Sequence, residues 1–153
     1  MIDPIHRPGY RNCNIAAVVC ALAMASALGA LPAPAAAEVV NLKASLSAQS
    51  EVPPTESKGS GAVTATFDTA SKKLTYKGTY AGLTGPATAA HFHVGDVGKN
   101  GAIAIPISPN ASPFEGSATL TDAQASDLLA GRMYVNVHTA ANKAGEIRGQ
   151  VTK

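Results

Sequence analysis

Residues 61–81 read GAVTATFDTASKKLTYKGTYA. Val63, Ala65 and Phe67 fall on one side of a period-two pattern, and Leu74, Tyr76, Gly78 and Tyr80 do the same after a break. Such alternation is the signature of a half-buried β-strand. The polar stretch 68–72 between the two runs supplies a turn, so the segment predicts an antiparallel hairpin. Upstream, VVNLKASLS at 39–47 alternates in the same way through Val40, Leu42, Ala44 and Leu46, followed by a loop at 48–60 that holds Pro53-Pro54. Downstream, GLTGP at 82–86 ends the hairpin, and further strands are predicted at 87–94, 101–107, 114–120, 132–138 and 146–151. Short strands at this spacing predict an all-β Greek-key sandwich or barrel of about eight antiparallel strands. One segment departs from the pattern. Thr121 with Gln124 forms a capping box, AQASDLL follows at helical period, and Gly131 fits the stop. This predicts one short helix at 122–130, with Leu128 and Leu129 folding back on the sheet.

The first third of the chain is a different kind of sequence. Arg7 and Arg11 lead into CNIAAVVCALAMASALGAL at 13–31 and then PAPAAAE, with small residues at Ala35 and Ala37. A basic lead, an apolar run and an A-x-A site are the marks of a secretory signal peptide. Residues 1–37 are read as that signal, with cleavage before Glu38, in preference to a retained anchor. Ser26, Gly29, Pro32 and Pro34 interrupt a run that is borderline for a span needing about 20 apolar residues. The mature domain, 38–153, would carry ten basic and nine acidic side chains and neither Cys13 nor Cys20. A nearly neutral surface argues against nucleic acid, which needs clustered basic charge. A periplasmic or secreted location follows, with no membrane span after signal removal and no internal disulfide.

Chemistry concentrates on three of the four histidines. His91 and His93 stand two apart on a predicted strand, hence on one face, with about 6.6 Å between Cα atoms. His138 ends another strand, on the face of Tyr134 and Asn136; Glu146, Arg148 and Gln150 share a face of the last. If these strands are neighbours, the three imidazoles form a candidate metal site. Asn136, Glu146 and Arg148 then orient the ligands or form a structural polar cluster, such as a Glu146–Arg148 ion pair. Imidazole suits copper and zinc, and affinity order favours copper. Three histidines would leave one position open.

Other signals are weaker. Gly95-x-x-Gly98-x-x-Gly101 opens no helix and is not a phosphate cradle, and Asp96 with Asn100 falls short of a calcium site. Glu51, before Pro53-Pro54, reads as a loop residue. No serine stands in a G-x-S-x-G context.

Three blocks resemble the CHRD (chordin-type) domain family over about 41–151: LSAQSEVPPTESKGSGAVTATFD, LTYKGTYAGLTGPATAAHFHVG and GSATLTDAQASDLLAGRMYVNVHTAANKAGEIRGQV. The last is the most specific, with a T-x-x-Q helix, a strand ending in V-H-T, and G-E-I-R-G-Q. The resemblance implies a secreted, immunoglobulin-like or barrel domain, with His91, His93, His138, Glu146 and Arg148 in its motif blocks. Where the family often has G-P after H-x-H, this chain has HFHVGDVG. HFHVGDVGKNGAIAI is also similar to the copper-ligand strand of Cu/Zn superoxide dismutase, and His91, His93 and His138 match three of its four copper ligands by that likeness. The bridging histidine, the zinc-ligand cluster and the disulfide pair of that enzyme have no counterpart here.

The resulting expectation is an exported, non-catalytic binding protein holding one copper ion, or zinc, through His91, His93 and His138. The alternatives are a metal-free module binding another secreted or envelope component, and a reduced dismutase-like copper redox enzyme.

Overall fold

The computed structural model describes residues 37–153. The signal sequence read at 1–37 lies outside them, except for Ala37. Eight strands run in chain order: β1 Val39–Ser47, β2 Ser60–Asp68, β3 Lys73–Ala81, β4 Ala87–Val94, β5 Ile103–Pro106, β6 Phe114–Thr119, β7 Met133–Thr139 and β8 Ile147–Gln150. One helix, α1 Asp122–Leu129, precedes β7.

All eight strands form one antiparallel sheet, ordered β5-β4-β7-β8-β1-β2-β3-β6. Non-consecutive neighbours, β4 with β7 and β3 with β6, give the long connections expected of a Greek-key type of arrangement. Sheet twist curls this ribbon into a nearly closed barrel. The ring of Tyr76 on β3 lies 5.0 Å from that of Phe92 on β4, although four strands separate β3 from β4 in the ladder. The predicted alternation is the one observed. In β1, Val40, Leu42, Ala44 and Leu46 are buried while the residues between them face outward. They meet Val63, Phe67, Leu74, Phe92, Val135, Val137 and Ile147 in a single core.

The helix forms where its caps place it. Thr121 Oγ1 accepts from Gln124 N at 3.2 Å, and Gln124 Oε1 accepts from Thr121 N at 3.0 Å. Gly131 follows at φ 71°. Leu128 packs into the core, but Leu129 remains 37 % exposed, contrary to expectation. Adjacent helical positions are about 100° apart, so an eight-residue helix resting on one face buries only one of them. The strand predicted at 101–107 shortens to Ile103–Pro106, since Gly101 and Ala102 belong to the preceding loop.

Strand β7 is buried at every position from Met133 to Thr139. One face supplies Met133, Val135 and Val137 to the barrel core. The other carries Tyr134, Asn136 and His138, so something must cover the barrel's outside there. Segments 48–59 and 95–102 do so, joined where Asn100 Nδ2 donates to Val52 O at 2.7 Å. The candidate site lies in this polar layer.

Candidate metal centre

Antiparallel register brings the predicted residues together. His91 pairs with Asn136 across β4 and β7, Asn136 pairs with Arg148 across β7 and β8, and His93 pairs with Tyr134. A register shift between Phe92 and His93 against β5 marks a bulge next to the site, a device that re-aims side chains. His91, His93 and His138 converge so that one ligand nitrogen from each lies within 4.8 Å of the others.

Backbone carbonyls fix two of these rings. His93 Nδ1 donates to Gly101 O at 2.9 Å and His138 Nδ1 donates to Lys143 O at 3.0 Å. In neutral imidazole this leaves each Nε2 as a bare lone pair. His93 Nε2 is buried without any hydrogen-bond partner. His138 Nε2 lies 3.1 Å from His91 Nδ1, which donates to it. Burial lowers the pKa of His91, and the neighbouring rings of His138 and His93 lower it further. Burial also lowers that of His138, against the opposing bond to Lys143 O and with added repulsion from His93. Both rings are therefore neutral at pH 7, the form that ligates metals.

The donor set fits an ion of the copper or zinc type. Ligand nitrogens about 2.0–2.1 Å from a common ion are about 2.9–3.4 Å apart for angles between square and tetrahedral. The His91 Nδ1–His138 Nε2 spacing of 3.1 Å falls within that range, and His91 can ligate there once its proton moves from Nδ1 to Nε2. The widest separation, up to 4.8 Å, exceeds even a trans pair by about 0.6 Å and a tetrahedral pair by about 1.4 Å, so the triad must close on an ion. His91 is the half-buried member of the triad, while His93 and His138 are buried. An unpartnered buried ring nitrogen and two carbonyl-anchored rings make a triad that could hold a metal ion.

The remaining predicted residues have separate tasks. Glu146 and Arg148 do not pair with each other. The Glu146 carboxylate, fully buried, accepts from Ser57 Oγ at 2.6 Å, Thr84 N and Oγ1 at 2.7 Å each, Thr139 Oγ1 at 2.5 Å and Asn142 Nδ2 at 3.1 Å. Burial alone would raise its pKa, but the bonds from Ser57, Thr139 and Thr84 prevail and hold it at about 2. Arg148, 2 % exposed, donates to Asn100 Oδ1, Asp96 O and Lys99 O, so the loop considered for calcium is a guanidinium clamp. Its Cζ sits 3.4 Å from the Tyr134 ring centroid. The opposite face of Tyr134 stacks on His93, with centroids 4.8 Å apart and planes 5° from parallel. Arg148 thus supports the His93 ring through an aromatic spacer.

Two contributors escaped the sequence reading. Gly101 accepts from His93 through its carbonyl and donates through its N–H to Tyr134 Oη at 3.2 Å, tying both members of the stack. Glu51, expected to be an ordinary loop residue, is 5 % exposed and lies under the cover formed by 48–59. The two prolines beside it explained the loop and hid the burial.

The CHRD domain family matches residues 42–151. No curated protein and no solved structure matches the chain. Among the described residues, no helix is long and apolar enough to cross a membrane.

Proposed function

The chain belongs to the CHRD domain family, and on that premise we propose that it is an exported binding protein that holds one metal ion, copper ahead of zinc, through His91, His93 and His138. The observation that carries this reading is His93 Nε2, a buried lone pair with no partner, aimed among two other imidazoles. Burying an acceptor without a partner costs about 1–3 kcal/mol, a cost that metal ligation removes. All three donors are neutral nitrogens, which suits copper and zinc and disfavours calcium or magnesium. Copper leads by general affinity order. The basic lead, apolar run and A-x-A site at 1–37 support export to the periplasm or beyond, with Glu38 as the first mature residue. A three-histidine set keeps one position for water or an exogenous ligand, so the domain serves as a carrier or binder and no catalytic step is assigned to it.

Titration of the mature chain with copper(II) and with zinc tests this. The expected result is one equivalent bound, with a His91→Ala/His138→Ala variant losing that binding. The chain has no tryptophan, so its ultraviolet emission reports tyrosine, and copper beside His93 should quench Tyr134. Absence of stoichiometric binding, or binding unchanged in the variant, would contradict the reading and leave the metal-free interaction module.

A further inference from the structure

The polar layer contains a buried acid that takes no part in holding the histidines. Glu51 Oε1 has no hydrogen-bond partner, and neither has Asn136 Oδ1, the amide beside it. Both side chains crowd Gly145, where a Cβ would stand 2.7 Å from Glu51 Cδ and 2.8 Å from Asn136 Nδ2. Asn136 in turn lies between His91 on β4 and Arg148 on β8. Glu51 and Asn136 thus share Gly145 as a neighbour, and Asn136 is the register partner of His91.

We propose that Glu51 is a charge-compensating residue of the metal site: its carboxyl holds a proton while the triad is empty and releases it to solvent when a divalent ion enters. This rests on the metal-binding reading above. Only the O–H bond of the acid breaks; its electron pair stays on the carboxylate, and no oxidant or reductant takes part.

Electrostatics of the layer favour such a group. The three ligands are neutral, and Arg148 is a permanent buried cation. A divalent ion added beside it is poorly screened, because water is excluded by the covering loops. The nearby ionisable groups are few. Glu146 before β8 is ionised already and committed to its hydroxyl and amide partners. Asp96 and Lys99 lie in the loop that clamps Arg148 through its carbonyls, and the Lys143 carbonyl holds His138. His91, His93 and His138 are the ligands themselves. Glu51 alone is both buried and free to change charge. Burial pushes it up to about 7, against the pull of Arg148 and of the Val52 N–H, so the proton stays on the carboxyl into the neutral range.

Calorimetry with zinc, which is redox-silent, in buffers of different protonation heat reads the effect. At pH 7 the wild-type mature chain should release measurably more of a proton per zinc than Glu51→Gln. At pH 8 the variant should bind zinc about tenfold more weakly, having lost the compensating charge. Glutamine is nearly isosteric with the protonated acid, so the empty variant should fold. Wild-type infrared spectra supply a readout needing no variant: the carbonyl band of a protonated carboxyl should disappear on zinc addition. Zinc bound with equal proton release in both proteins, or no loss of that band, would overturn the inference while leaving the metal site intact. No zinc bound by the wild type would overturn the metal reading and this inference with it.

Discussion

Glu146→Ala is expected to lower the melting temperature of the metal-free domain by about 15 °C, corresponding to about 4 kcal/mol for a domain of this size. The carboxylate gathers Ser57 from the 48–59 cover, Thr84 from the β3–β4 connection, and Thr139 and Asn142 from the end of β7 and its loop. Its backbone C=O also accepts from Thr55 Oγ1 at 2.9 Å. Removing the side chain leaves the buried Thr139 hydroxyl and the half-buried Ser57 and Asn142 donors without their acceptor, at about 1–3 kcal/mol for each that stays unsolvated. The effect carries a pH signature. The folded-state pKa lies near 2 against an ordinary 4.5, so the folded protein binds this proton less readily than the unfolded chain. The carboxylate's contribution is full above pH 4.5 and is lost as pH falls toward 2. The stability gap between wild type and Glu146→Gln should therefore be largest near neutrality and shrink across that window. Thermal melts at several pH values read it, and a gap constant from pH 6 to pH 2.5 would show that the charge is not what the network holds.

Gly101→Ala should weaken metal binding by about 10–100-fold, the usual range for a residue that orients a ligand. A Cβ at Gly101 would run into the Val94 carbonyl oxygen and carbon, backbone atoms of β4 that cannot swing aside. Displacing residue 101 moves the carbonyl that fixes His93 Nδ1 and the N–H that reaches Tyr134 Oη. His93 would then lose both its tautomer lock and its stacking support. Gly98→Asn in the same loop is the control. Gly98 has a φ of 73°, which asparagine tolerates, and a Cβ there meets nothing within 4 Å. Its metal affinity should match the wild type. Equal losses in the two variants would place the effect in general loop strain and remove Gly101 from the ligand-orienting set.

Much of the fold was readable because burial has a strict period in an extended chain. Val40, Leu42, Ala44 and Leu46, or Val63, Ala65 and Phe67, leave little freedom about which face turns inward. The H-x-H pair was readable for the same reason, since residues two apart must share a face. His138 needed β4 and β7 to be neighbours, a non-local pairing no local pattern encodes. Glu51 and Gly101 left no usable signal. Their roles come from two irregular segments lying over the outer face of the barrel, and irregular backbone has no periodicity from which burial can be inferred. Arg148 was picked out by its face on β8, but its partners proved to be loop carbonyls and an aromatic ring, not Glu146.

Anomalous diffraction at the copper and zinc edges, from crystals of the mature chain soaked in each metal, measures where an ion sits. A single peak about 2.0–2.1 Å from one nitrogen of each of His91, His93 and His138 is the predicted result. A peak held by other groups, or imidazoles left in their metal-free arrangement at saturating metal, would contradict it.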